Sequence, residues 1–127
     1  MKVKKPVLTD QELEIMKVVW TRERTTVRDV YEDLLKHRKI AYTTVMTMMG
    51  ILEQKGYLKK SAGERAYVYS PAQPQREVLG NMVREFVKRV FNGSARPLLL
   101  HLVEDQNIGN DELDEIRKLL KDQRRKK

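Results

Sequence analysis

The chain has 127 residues, 35% of them charged, with a net charge of +8 and a pI of about 9.8. That length suits one small domain plus an accessory module rather than two independent domains. The absence of cysteine excludes a disulfide framework and cysteine-held zinc, and no apolar stretch approaches the roughly 20 residues of a membrane span.

A positive surplus of this size points to a polyanionic partner, either nucleic acid or an acidic membrane face. The opening MKVKKPVLTD is basic but has no apolar run of the signal-peptide kind. A soluble, cytoplasmic protein without a cofactor is expected.

A first helix opens in VLTDQELEIMKVVW. Thr9 is a good N-cap, and Glu12 three residues later completes a capping box. Leu13, Met16 and Trp20 recur at helical spacing, with Val19 beside them. In TRERTTVRDVYEDLLKH, Val27, Val30, Tyr31, Leu34 and Leu35 form the stripe of a second helix, which Thr25 or Thr26 can cap. After the brief break RKIA, Val45, Met48, Met49 and Leu52 mark a third helix, and Gly56 is its stop signal.

The pattern then changes. YLKKSAGERAYVYSP reads as two short strands around Ala62-Gly63-Glu64, ended by Pro71. Helix, helix, short turn, helix, hairpin is the order of a winged helix-turn-helix, here spanning residues 1–72.

Pro71 and Pro74 mark a seam, and residues 73–127 read as a helical module with a basic tail. One helix carries Leu79, Met82, Val83, Phe86, Val87 and Val90, and Asn92-Gly93-Ser94 stops it. LLLHLV is a short apolar patch. Asn110 caps a last helix bearing Leu113, Ile116, Leu119 and Leu120. Three such helices carry more apolar surface than they cover by themselves. They either fold back on the first domain or pair with a second copy, and pairing is favoured. A homodimer is therefore expected, held by Met82, Phe86, Val90, Leu99, Leu102, Leu113, Ile116 and Leu120. The fold class is mostly α with a small β-hairpin.

Charge separates the parts. Residues 1–72 hold 14 basic and 9 acidic side chains, residues 73–117 hold 6 and 8, and residues 118–127 hold 6 and 1. The first domain and the tail are thus the anion-binding parts.

With Val45 at zero on a helical wheel, Met48, Met49 and Leu52 cluster near it. Thr43, Thr47, Gly50 and Gln54 lie opposite, with Thr44 and Met46 on the flanks. A solvated face usually carries Lys, Glu and Arg, and this one has almost no charge. Threonine hydroxyls bond bases or phosphates, threonine and methionine carbon packs on a thymine methyl, and Gly50 permits close backbone approach. The helix N-terminus adds N–H groups suited to a phosphate. Arg28, Lys39, Lys55, Lys59, Lys60 and Arg65 flank this face and are expected to grip phosphates, releasing counterions. Double-stranded DNA is the expected partner.

LTDQELEIMKVVW, AYTTVMTMMGILEQKGYL and GERAYVYSP, in this order and spacing, resemble the penicillinase and methicillin-resistance repressors, a family that also holds copper-responsive members. The likeness covers the first domain and continues more weakly through FVKRVFNGS and NDELDEIRKLL. It implies a homodimeric repressor of a palindromic operator built from TACA and TGTA, controlling β-lactam resistance or cell-wall stress genes. It also implies that Thr43, Thr44, Met46 and Thr47 approach the operator and that Arg65 belongs to the wing. In the family's best-studied members a membrane sensor protease detects β-lactam, and the repressor is cut at an Asn-Phe bond after the NGS turn. The matching bond here is His101–Leu102.

Three departures stand out. Ala41 sits where the family often has a capping Ser or Thr, Ile51 where it often has a basic residue, and the cysteine cluster of the copper-responsive branch is missing. Copper sensing by that route is excluded.

Two other readings stay open. One is a winged-helix regulator of another family, such as the multiple-antibiotic-resistance type, although the flank before Thr9 is short for that dimer. The other is a winged-helix protein-interaction module, which predicts apolar or acidic character where Lys59, Lys60 and Arg65 lie. An enzyme is not expected. His37 and His101 are the only histidines, and neither has a nucleophile–base or metal-ligand spacing beside it.

Overall fold

The computed structural model describes residues 7–105 and 108–125. Lys2, Lys4 and Lys5 of the basic opening, and Lys126 and Lys127 of the basic tail, lie outside the described residues. The chain runs α1 (Asp10–Arg22), α2 (Val27–Leu35), α3 (Tyr42–Gln54), β1 (Leu58–Ala62), β2 (Tyr67–Pro71), α4 (Gln75–Phe91), α5 (Arg96–Glu104) and α6 (Asn110–Arg125). It divides into two compact units, residues 1–82 and 83–127. Among the described residues no helix is long and apolar enough to cross a membrane.

The first unit is a winged helix-turn-helix. The Thr9 hydroxyl accepts from the Glu12 N–H at 3.2 Å while the Glu12 carboxylate accepts from the Thr9 N–H at 2.8 Å, so the capping box forms. Thr26, not Thr25, caps α2, accepting from the Asp29 N–H. Thr25 is instead buried and exchanges both backbone hydrogen bonds with Tyr69, at 3.0 and 2.7 Å. This single bridge gives the hairpin a third edge, and its cause is tertiary: the extended residue before α2 happens to lie beside β2.

The core gathers Ile15, Met16 and Val19 from α1, Val30 and Leu34 from α2, and Val45, Met49 and Leu52 from α3, all nearly inaccessible. Each such side chain contributes about 1.5–3 kcal/mol. Leu35, expected in the α2 stripe, is 42% exposed, because the buried arc closes at Leu34. Trp20 is half-buried and donates its indole N–H to the Gln73 carbonyl at 3.0 Å. The Ala72 N–H donates to the Tyr57 carbonyl at 2.9 Å. The segment after Pro71 is therefore bound to the first unit, and Val78 of α4 is a buried member of its core, with Met82 packed on it.

Strand β1 pairs antiparallel with β2 in the register Leu58↔Pro71, Lys60↔Tyr69, Ala62↔Tyr67. Gly56, at φ +86°, lets the chain turn from α3 into the hairpin. At the wing tip a Cβ on Gly63 would stand 2.5 Å from the Ala66 carbonyl oxygen, so only glycine closes this turn.

The second unit holds the rest of α4, with α5 and α6. Pro97 occupies the first turn of α5. Phe91 lies edge-on to Phe86 at 5.9 Å between ring centroids and 6.2 Å from His101. None of the unit's described side chains is buried, although it carries Val83, Phe86, Val90, Leu99, Leu100, Val103, Leu119 and Leu120.

Candidate nucleic-acid interface

Helix α3 is held from behind and at both ends. Val45, Met49 and Leu52 fix its inner face in the core. At its start the Tyr42 ring meets Tyr31 of α2 edge-to-face, 5.4 Å between centroids and 79° between planes. In the preceding turn Arg38 reaches Glu14 of α1 with N–O distances of 2.8 and 3.1 Å. Arg22, at the end of α1, forks onto Asp33 of α2 with two bonds of 2.8 Å, and its hydrogen bonds hold the Asp33 carboxyl below the ordinary range. At the far end of α3 the Lys55 ammonium lies 2.9 Å from both oxygens of Glu12. Burial pushes the Glu12 carboxyl upward, but the Thr9 N–H and the Lys55 ammonium outweigh it and hold it below the ordinary glutamate range.

What α3 presents outward is mild and nearly uncharged. Thr43, Thr44, Met46 and Thr47 are exposed, Met46 to 48%. Gly50 lies on the same side, half-buried, and a Cβ there would meet nothing within 4 Å. Ala41 is the N-cap and makes no side-chain cap bond, so the first N–H groups of α3 receive nothing from it. Ile51 is exposed.

The cations expected around this face divide into two groups. Lys39, Lys59 and Arg65 are exposed, and Arg28 is exposed with only a surface pair to Glu32 at 3.2 Å. Such a pair is worth under about 1 kcal/mol and yields readily to a phosphate. Lys55 and Lys60 differ. The Lys55 side chain is turned inward to Glu12, away from the phosphate role expected of it, because a buried carboxylate demands a partner. Lys60 sits 3.8 Å from a Glu53 oxygen and 4.4 Å above the centroid of the Tyr67 ring.

Sequence reasoning missed Tyr42, 42% exposed in the first turn of α3, and Glu53, the acid beside the wing. An aromatic residue just ahead of the threonines is a readable signal for the first. For the second there is none, because Lys60 and Glu53 meet only through the hairpin register.

Of the residues expected to build a pairing surface, Met82 packs on the core of the first unit, one helical turn beyond buried Val78. Phe86, Val90, Leu99 and Leu120 are exposed, and Leu102, Leu113 and Ile116 are half-buried, all in the second unit. His101 is an exposed residue of α5, next to Leu102. Among the described residues no group of three His, Asp or Glu side chains could hold a metal.

Comparison with known proteins places this geometry. The family model described as penicillinase repressor matches residues 8–122. The transcriptional regulator BlaI of Mycobacterium tuberculosis is 38% identical over 115 residues, covering 89% of this chain and 82% of the relative. The penicillinase repressor of Bacillus licheniformis is 27% identical over 122 residues, 96% of this chain and 95% of the relative. The solution structure of monomeric B. licheniformis BlaI in complex with the blaP half-operator superposes with a TM-score of 0.51 and 32% identity, covering 58% of this chain and 90% of that one.

Proposed function

The chain belongs to the penicillinase repressor family, and from that premise we propose that it is a DNA-binding transcriptional repressor, not an enzyme, acting as a homodimer on a palindromic operator. The observation that carries this reading is the outer face of α3: Thr43, Thr44, Met46 and Thr47 exposed and uncharged on a helix held by the core and by ion pairs at both ends. A rigid helix with hydroxyls and methyl groups outward suits the major groove, where threonine bonds base edges and apolar carbon meets thymine methyls. Arg28, Lys39, Lys59 and Arg65 grip phosphates on either side. Each supplies affinity that falls with salt and carries no sequence information. Lys55 and Lys60 have other duties.

The second copy is assigned to the second unit. A helical unit with no buried described side chain and a series of exposed Leu, Val and Phe residues is half of an interface. Two linked readers on two half-sites gain through effective concentration, by roughly 10²–10⁴-fold. The genes controlled are those of β-lactam resistance or cell-wall stress, and a membrane sensor protease relays the signal.

The test is fluorescence anisotropy with a duplex carrying a TACA–TGTA palindrome beside a scrambled duplex of equal length, across a salt series. Preference for the palindrome with a steep salt dependence is expected. Equal binding to both duplexes contradicts sequence-specific repression.

A further inference from the structure

Recognition helix and wing are joined by three residues only, 55–57, between the end of α3 at Gln54 and the start of β1 at Leu58. Their relative pose decides whether both can engage one duplex. On the inner side of that junction Lys55 is bound to Glu12, which fixes the helix end to α1. On the outer side stands Lys60. The register pairs Lys60 with Tyr69 and Ala62 with Tyr67, so Lys60, Tyr69 and Tyr67 share one face of the hairpin, while Lys59 points to the other. Across that face the Lys60 ammonium meets Glu53 of α3 at 3.8 Å and covers the Tyr67 ring at 4.4 Å. The side chain keeps only 35% of its accessible surface, and Glu53 keeps 34%.

We infer that Lys60 is a positioning residue, which clamps the wing to the recognition helix through Glu53 and Tyr67, rather than a ligand of the DNA phosphates. The inference rests on the DNA-binding reading above and deepens it. An ammonium shared between a carboxylate and an aromatic face is held in place by two weak attractions acting together. It also neutralises Glu53, an acid at the C-terminal end of α3, which would otherwise repel the phosphate backbone. Lys59, one residue earlier and on the opposite face, has no such duty and remains a phosphate cation.

The two roles predict opposite signs for one substitution. If Lys60 bound phosphate, Glu53→Gln would free the lysine and remove a repelling charge, so operator binding would tighten. If Lys60 is the clamp, Glu53→Gln loosens the wing and weakens binding.

The experiment is a double-mutant cycle with Glu53→Gln and Lys60→Gln in the full chain, read by operator affinity over a salt series. Backbone NMR order parameters of wing residues 61–67 are measured in the free protein. Each single variant should lose about 3- to 10-fold in operator affinity, and the double variant no more than either, as coupled neighbours do. The salt slope should stay that of the native chain, whereas a lost phosphate contact lowers it by about 0.9. Lys60→Arg keeps both contacts and should bind nearly as the native chain does. Order parameters of the wing should fall in both single variants. Tighter binding by the Glu53 variant, a reduced slope for the Lys60 variant, additive losses, or an unchanged wing in the free protein each overturns the clamp. Absence of operator preference in the native chain, with the wing loosened in both variants, would leave the clamp standing and remove the repressor reading instead.

Discussion

At the scale of single residues, position on α3 and on the hairpin separates side chains proposed to read DNA from side chains that hold the fold. Thr47 is exposed on the outer face of α3. A base-edge contact is worth about 1–3 kcal/mol. Thr47→Ala should therefore weaken operator binding more than binding to random duplex. Lys59→Ala should weaken both alike and lower the salt slope by about 0.9. Equal losses on both duplexes for the Thr47 variant would sink its base-reading role. Lys55 holds. Lys55→Met leaves the buried Glu12 carboxylate with Thr9 but no cation as partner and should cost about 1–3 kcal/mol of stability at neutral pH. The folded state keeps the Glu12 carboxyl below its unfolded value of about 4.3. Its contribution is therefore complete above that value and is lost as pH falls through the lower folded value. Urea unfolding at neutral and at acid pH checks this: the gap between native and variant proteins should narrow on acidification, and a constant gap would contradict the ion pair.

At the scale of elements, α3 carries a choice that packing does not explain. Gly50 sits mid-helix, where glycine costs roughly 1 kcal/mol relative to alanine, and a Cβ there would touch nothing within 4 Å. Among the described residues no neighbour demands the glycine. The proposed approach of the helix backbone to DNA would account for it. Gly50→Ala should thus raise the melting temperature while lowering operator affinity. Calorimetry and anisotropy on the same preparation test this, and a variant that gains stability with unchanged affinity would show that the groove does not come close to Gly50. The hairpin follows a different rule. Gly63 is required by its own turn, since the Ala66 carbonyl leaves no room for a Cβ. Its replacement should deform the wing without any gain in stability.

At the scale of the whole molecule, the first unit does not end at the proline-rich seam. Trp20 and Tyr57 bind the segment beyond Pro71, and Val78 fills the core. A fragment of residues 1–72 loses Val78 and should be less stable than residues 1–82 by about 1.5–3 kcal/mol, the worth of one buried valine. Both fragments should sediment as monomers, and the full chain as a dimer at micromolar concentration. A monomeric full chain would remove the second unit from its pairing role. If proteolysis is the switch, the bond is His101–Leu102 within α5, and a helix must open locally before a protease accepts it. Cleavage there detaches α6 with Leu113, Ile116 and Leu120 and should convert dimers to monomers. Mass spectrometry of the repressor from β-lactam-treated cells decides it: an intact chain beside derepressed target genes excludes that route.

The capping box at Thr9 and Glu12, the stripe of Val45, Met49 and Leu52, the stop at Gly56 and the glycine turn of the hairpin were all legible in the sequence, because each rests on neighbours within about four residues. So was the mild outer face of α3, since a helix of known phase leaves one side over. The family motifs were legible for the same reason, being local and ordered. Tertiary structure alone decided which groups the cations meet. Lys55, Lys59 and Lys60 look alike in a string of letters. Burial of Glu12 turns the first inward, and the hairpin register sets the other two on opposite faces, with only Lys60 brought to Glu53. The Thr25–Tyr69 bridge, the bond from Trp20 to Gln73 and the reach of the first core to Val78 likewise join residues distant in sequence. Periodicity tells which face of an element is apolar. It does not tell which charge meets which, because that depends on how elements separated by tens of residues are brought together.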